Sequence, residues 1–212
     1  MLWLIGMAAS SAAMALPVPQ SHAIGQQLQP ELNKGGSAAV KVRVVVDPSG
    51  APVRCSVRFK NGPARNGDTL CALIRAQTRF SPALNVQGIP TFGVTYVWSR
   101  WDRGTWAGDE QPSWDPVDVA LTTNQVPRGY PEGAIFQLIV FTSHVGSISD
   151  CEATDTRLNR HVVDLLCREA RAVWITPAKD QNGRAVPSVQ QFMVRLTSGK
   201  RLEQVMKKVR SR

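Results

Sequence analysis

Two cysteine pairs in this chain share one spacing. Cys55 and Cys71 lie 16 residues apart, Cys151 and Cys167 lie 16 apart, and the second pair follows the first by 96 residues. Gly50 and Gly146 keep that offset; Pro82-Ala83 and Pro177-Ala178, and then Gly88 and Gly183, come within one residue of it. A strand-like run precedes the first cysteine of each pair, Val40 to Val46 and Phe136 to Phe141. Another follows each Pro-Ala and Gly, Phe92 to Trp98 and Val189 to Leu196. Self-similarity at a fixed offset marks a repeated structural unit. The chain therefore reads as two related domains, 40–101 and 134–198.

Within each copy the order is strand, turn, strand, helix, strand. Asp47-Pro48-Ser49-Gly50 is a turn sequence, with Pro at a central position and Gly behind it. Val42, Val44 and Val46 alternate with Lys41, Arg43 and Val45, which predicts a strand covered mainly on one face. Val53, Cys55 and Val57 repeat the alternation on the return strand. Asn66-Gly67-Asp68 reads as a helix start, with the Asp68 carboxylate accepting from orphan backbone N–H groups. Leu70, Leu73, Ile74 and Gln77 follow at helical spacing, and Pro82 bounds that helix. The second helix is expected from Leu158 to Val173, burying Val162, Leu165, Leu166, Ala170 and Val173.

Four cysteines allow three pairings. The repeat selects the symmetric one, Cys55–Cys71 and Cys151–Cys167, each tying a helix to its sheet. A loop of that length is stabilised by about 3 kcal/mol when closed. Neither pair has C-x-x-C spacing, and the two close pairs of a four-cysteine zinc site are absent. No metal and no cofactor is expected.

Composition bounds the rest. The 212 residues are 43% hydrophobic and 19% charged, the balance of a globular protein. No run of 18 apolar residues occurs beyond the N-terminus, which excludes a polytopic membrane protein. The apolar stretch over 1–15 ends in Ala13-Met14-Ala15, a small-x-small pattern. It reads as a secretory signal cleaved after Ala15, with a buried helix or an inner-membrane anchor as the alternatives. Residues 16–39 show no period and read as a leader or linker.

The residues that carry the repeat resemble the TonB C-terminal domain family. That family shows a strand, a D-x-x-G turn, a return strand, a helix, an R-F-x-P-A segment and a Gly before the last strand. The first copy has Asp47-Pro48-Ser49-Gly50, then Asp68 to Leu73, then Arg79-Phe80-Ser81-Pro82-Ala83 and Gly88. The second copy is degenerate: it keeps Cys151, Cys167, Arg171, Pro177-Ala178 and Gly183, while Trp174-Ile175-Thr176 replaces R-F-x. The resemblance implies an α+β fold of two tandem TonB C-terminal-like domains, each a small antiparallel sheet with one packed helix (β-β-α-β).

It further implies a non-enzymatic periplasmic protein that binds a protein or extended peptide of the cell envelope by strand addition. The partner in the family is an outer-membrane transporter segment, which links it to TonB-dependent transport. The candidate edge residues are Thr91, Val94, Tyr96 and Trp98 on one strand and Val189, Phe192 and Val194 on the other. The long Pro-rich segment of an energy transducer is missing: residues 17–39 reach only a few tens of Å at about 3.1 Å per residue. A twin-domain binding protein fits better than a motor-driven one.

Residues 102–133 read as a Trp-rich acidic linker. Trp98, Trp101, Trp106 and Trp114 cluster at its start, with Asp102, Asp109, Glu110, Asp115 and Asp118 in or near them. The rings read as packing anchors between domains, with a sugar- or peptide-binding surface as the alternative. The acids read as solvated. Residues 199–212 hold six basic residues and one acid, with Leu202, Val205, Met206 and Val209 at helical spacing. That basic helix either docks on the second domain or meets an anionic polymer or membrane surface. Nucleic acid is not an expected partner, and the oligomeric state is left open. His144, on an expected strand, and His161, on the second helix, lack any nucleophile motif, so a hydrolase is retained only as a class alternative.

Overall fold

The computed structural model describes residues 13–20, 38–61, 65–101, 117–123 and 126–198. Among these residues the fold is mixed α+β, with one large sheet and two helices. In chain order the elements are β1 (Ala38–Val46), β2 (Pro52–Asn61), α1 (Arg65–Gln77), β3 (Ala83–Leu84), β4 (Pro90–Trp101), β5 (Val119–Thr123), β6 (Ile135–Thr142), β7 (Ile148–Ala153), α2 (Arg160–Arg171), β8 (Ala178–Lys179), β9 (Ala185–Val186) and β10 (Ser188–Ser198). The main sheet runs β2-β1-β4-β10-β6-β7, with β3 beside β4 and β5 beside β10; β8 and β9 form a separate hairpin.

The repeat is visible in backbone detail. Gly50 N–H donates to Asp47 O at 2.9 Å, and Gly146 N–H donates to Ser143 O at 3.0 Å. The loop that follows each helix then returns to its turn: Phe80 N–H donates to Gly50 O and Ile175 N–H to Gly146 O, both at 3.0 Å. Both glycines have positive φ, +84° and +91°. A Cβ there would stand 2.1 Å from Phe80 O in one half and 2.2 Å from Ile175 O in the other, so only glycine fits both the dihedral and the space. Ile175 thus occupies the place of Phe80. The disulfides are the symmetric pair, Cys55–Cys71 and Cys151–Cys167, with Cα–Cα distances of 5.4 and 5.6 Å.

The two halves join through β4 and β10. These strands are parallel and pair at Ser188↔Phe92, Val189↔Gly93 and Gln190↔Val94, so facing residues are 96 apart, one more than the 95 that relates Gly88 to Gly183 just before them. A two-fold relating neighbouring parallel strands must run along them in the sheet plane, and it exchanges the faces of the sheet. The cores agree. Val40, Val42, Val44 and Val46 pack with Leu70 and Ile74 of α1 on one face. Leu138, Val140, Phe192 and Val194 pack with Leu166 of α2 on the opposite face. A third small cluster, Val45, Val94 and Ala178, lies at the seam.

Several sequence expectations change. Val45 is 2% exposed, so β1 is covered on both faces near the seam and not mainly on one. Asp68 sits inside the first turn of α1, which begins at Arg65, and favours the helix dipole there. Asn159 caps α2 by accepting from His161 N–H at 2.9 Å. His144 lies in the turn before β7 and not on a strand. The linker 102–133 contributes β5 to the main sheet, because Val119 and Leu121 have apolar places in the second core. Residues 16–20 of the expected leader are packed. Pro19 bridges to Phe80, and a Cβ on Gly93 would come 2.4 Å from the Pro17 side chain. Ala15 bridges Leu84 and Met14 is buried.

Candidate functional site

The strands proposed as open edges are interior. β4 lies between β1 and β10, and β10 between β6 on one side and β4 and β5 on the other. Thr91 pairs with Ala83 of β3. Val94 and Val189 are fully buried at the seam. Val194 is buried in the second core, between Val119 and Phe136. Phe192 is also in that core, while Tyr96 lines a cleft and Trp98 is 40% exposed. The end strands are β2 and β7 instead, and among the described residues no strand pairs with their outer sides.

Strand β10 has two partners along one edge. β4 takes 188–190 and β5 takes 194–198, and the two diverge between those segments. Asp118 stands at the fork. Its N–H donates to Met193 O at 2.8 Å, and its Oδ2 accepts from Met193 N–H at 2.7 Å. The side chain therefore satisfies a backbone donor of β10 where no strand does. Beside it opens a cleft of about 180 Å³, lined by Arg43, Arg58, Tyr96, Asp118, Gln190 and the loop Val173–Thr176 that follows α2.

Three elements bring these groups together. Arg43 of β1 and Tyr96 of β4 are directly opposite in the ladder, so both project from the face that α1 does not cover. Lys41, two residues earlier on that face, lies over the Tyr96 ring at 4.3 Å, a cation–π distance. The Arg43 guanidinium donates to Gln190 Oε1 at 3.2 Å and Thr176 O at 3.5 Å. Gln190 is 4% exposed and in turn donates to Thr142 and Ser188. That buried polar group is fully engaged, as buried amides must be.

Burial shapes the ionisation here. It holds Lys41 and Arg43 below their ordinary values; Asp118 opposes the shift at Lys41, and Arg58 adds to both. The Tyr96 hydroxyl is pushed up, first by burial and then by Asp118. Asp118 keeps an accessible outer side, yet the protein around its carboxylate pushes its pKa up. The Met193 N–H, Lys41, Arg58 and Arg43 pull the other way.

Sequence reasoning left Asp118 among the solvated linker acids and did not single out Arg43, Arg58 or Gln190. One signal was present: Lys41 and Arg43 stand at successive outward positions of an otherwise apolar strand. Trp106, Trp114, Asp102, Asp109, Glu110, Asp115 and the basic segment 199–212 lie outside the described residues. Among the described residues no group of three or more metal-ligating side chains occurs, and no helix is long and apolar enough to cross a membrane. Compared with protein-family models, curated proteins and solved structures, the chain matches none.

Proposed function

We propose that this chain is a non-enzymatic periplasmic protein, a twin-domain relative of the TonB C-terminal family, that captures an extended segment of an envelope partner by strand addition along β2. The observation that carries the reading is the outer side of β2, the end strand, on which no strand pairs among the described residues. Such a side presents backbone donors and acceptors to an extended peptide. β2 has ten residues, about 33 Å at roughly 3.3 Å each, against six in β7.

The edge is also held in place. Cys55 of β2 is bonded to Cys71 of α1, so less ordering entropy is lost when a partner docks. The D-x-x-G turn and the R-F-x-P-A segment support the family reading: Asp47 Oδ1 accepts from Ser49 N–H and Ala51 N–H, and Phe80 closes on that turn. Two disulfides support an oxidising compartment.

The test is amide hydrogen exchange on the full oxidised chain, with and without synthetic peptides from the periplasm-facing segments of outer-membrane transporters. Slowed exchange concentrated in β2 is the expected result. Slowing confined to β7, or no slowing with any peptide, overturns the assignment.

A further inference from the structure

Among the described residues, the cleft at the β4–β5 fork holds more positive than negative charge. Arg43 and Arg58 line it, and Asp118 is the one carboxylate among its described lining residues. That carboxylate already accepts from the Met193 N–H. Arg43 is half-buried, and its hydrogen-bond partners, Gln190, Thr176 and the Tyr96 hydroxyl, are neutral. Among the described residues no carboxylate lies within ion-pair distance of Arg43, and Arg58 has neither a hydrogen bond nor an ion pair. Charges withdrawn from water are ordinarily paired. Each guanidinium offers five donors in a planar fork; Arg43 keeps part of its fork open, and Arg58 has no hydrogen bond among the described residues.

Size and lining narrow the ligand. The cleft has a volume of about 180 Å³. It falls below the roughly 300 Å³ at which pockets for drug-sized molecules begin. The rim is apolar on one side: Trp174 is 73% exposed there, and Phe192 lies in the wall.

We propose that this cleft binds a carboxylate borne on an apolar body about the size of one amino-acid residue. Arg43 and Arg58 take the carboxylate, since a guanidinium fork matches its two oxygens. Trp174 covers the attached apolar group. Asp118 repels the incoming anion and so limits its affinity. The inference does not depend on strand addition, which uses the edge of β2 and not this face.

The carboxylate has two sources, a free small acid or the end of a peptide chain. Calorimetric titration of the full oxidised chain with N-acetylphenylalanine and with its amide tests the shared chemistry. Saturable binding of the acid is expected, with the amide weaker by about tenfold or more, as for loss of a charge-assisted hydrogen bond. Arg58→Gln, at an exposed position, should cost a similar factor, and Asp118→Asn should strengthen binding severalfold. Near-ultraviolet circular dichroism checks that both variants fold. Phe-terminated peptides, with free and with amidated ends, distinguish the sources. Tighter binding of the free-ended peptide than of N-acetylphenylalanine assigns the chain terminus, and the reverse assigns a free acid; either supports the proposal. Equal binding of acid and amide, no saturation at millimolar acid, tighter binding of inorganic phosphate, or an unchanged Arg58→Gln variant overturns it.

Discussion

Each half of the sheet has a face that its own helix does not cover, and the two bare faces end differently. On the α1 side, residues 13–20 cross toward the second half. Ala15 pairs with Leu84, Pro19 with Phe80, and the Met14 N–H meets the Glu152 carboxylate at 3.2 Å. Pro17 reaches that surface because Gly93 has no side chain. On the α2 side, the corner at Val45 and Val94 is closed by Ala178, but Lys41, Arg43 and Tyr96 stand beside it and a cleft remains. One backbone scheme thus gives a closed face where small apolar residues meet an added segment, and an open one where charged side chains stand.

The largest effect should come from the cores behind those faces. Leu70 and Leu166 are equivalent and fully buried. Leu70→Ala and Leu166→Ala should each cost about 3 kcal/mol, within the 2–5 kcal/mol span of buried leucine truncations. Urea unfolding followed by circular dichroism should show one transition shifted in both variants, because the halves share a sheet. Two separated transitions would break the comparison.

A smaller effect is expected on the closed face. Gly93→Ala places a methyl against Pro17 and Ala83, where a Cβ would stand 2.4 and 2.6 Å from their side chains. Overpacking of this kind costs about 2 kcal/mol. Limited proteolysis should then cut within 13–20 faster than in the parent protein. Unchanged cleavage would mean that Pro17 does not hold the segment.

The smallest effect belongs to the open face. Burial raises the pKa of Asp118 in the folded protein, so the folded state holds that proton more tightly than the unfolded chain. The associated stability is present below the ordinary carboxylate value and is lost as pH rises from there through the raised folded value. Asp118→Asn removes this dependence. The parent should therefore gain on the variant as pH falls from neutral toward the carboxylate range, read as the difference between their urea midpoints. A difference that stays flat with pH would mean that the Asp118 carboxylate is not desolvated.

Local signals were legible in the sequence and the seam was not. The positive φ of Gly50 and Gly146 and the equal cysteine spacing are fixed by residues near in sequence, so the turns and both disulfides could be read. The β4–β10 junction rests on three facing pairs with no local mark. The runs Thr91 to Trp98 and Val189 to Leu196 read from the sequence as candidate edges. Their apolar residues fall on both faces, as in Val189, Phe192 and Val194, which is the signature of an interior strand. Asp118 was misread for the same reason: its role is set by Met193, 75 residues away.

The narrowness of that junction has a mechanical consequence. β1 and β4 share nine facing pairs, whereas β4 and β10 share three. Parallel pairing is also slightly weaker per residue than antiparallel pairing. Under a pull along the strands, load divides among the bonds of each ladder, so each pair of the seam ladder bears more than each pair between β1 and β4. Each half would part from the other with its helix still stitched to its sheet by a covalent bond.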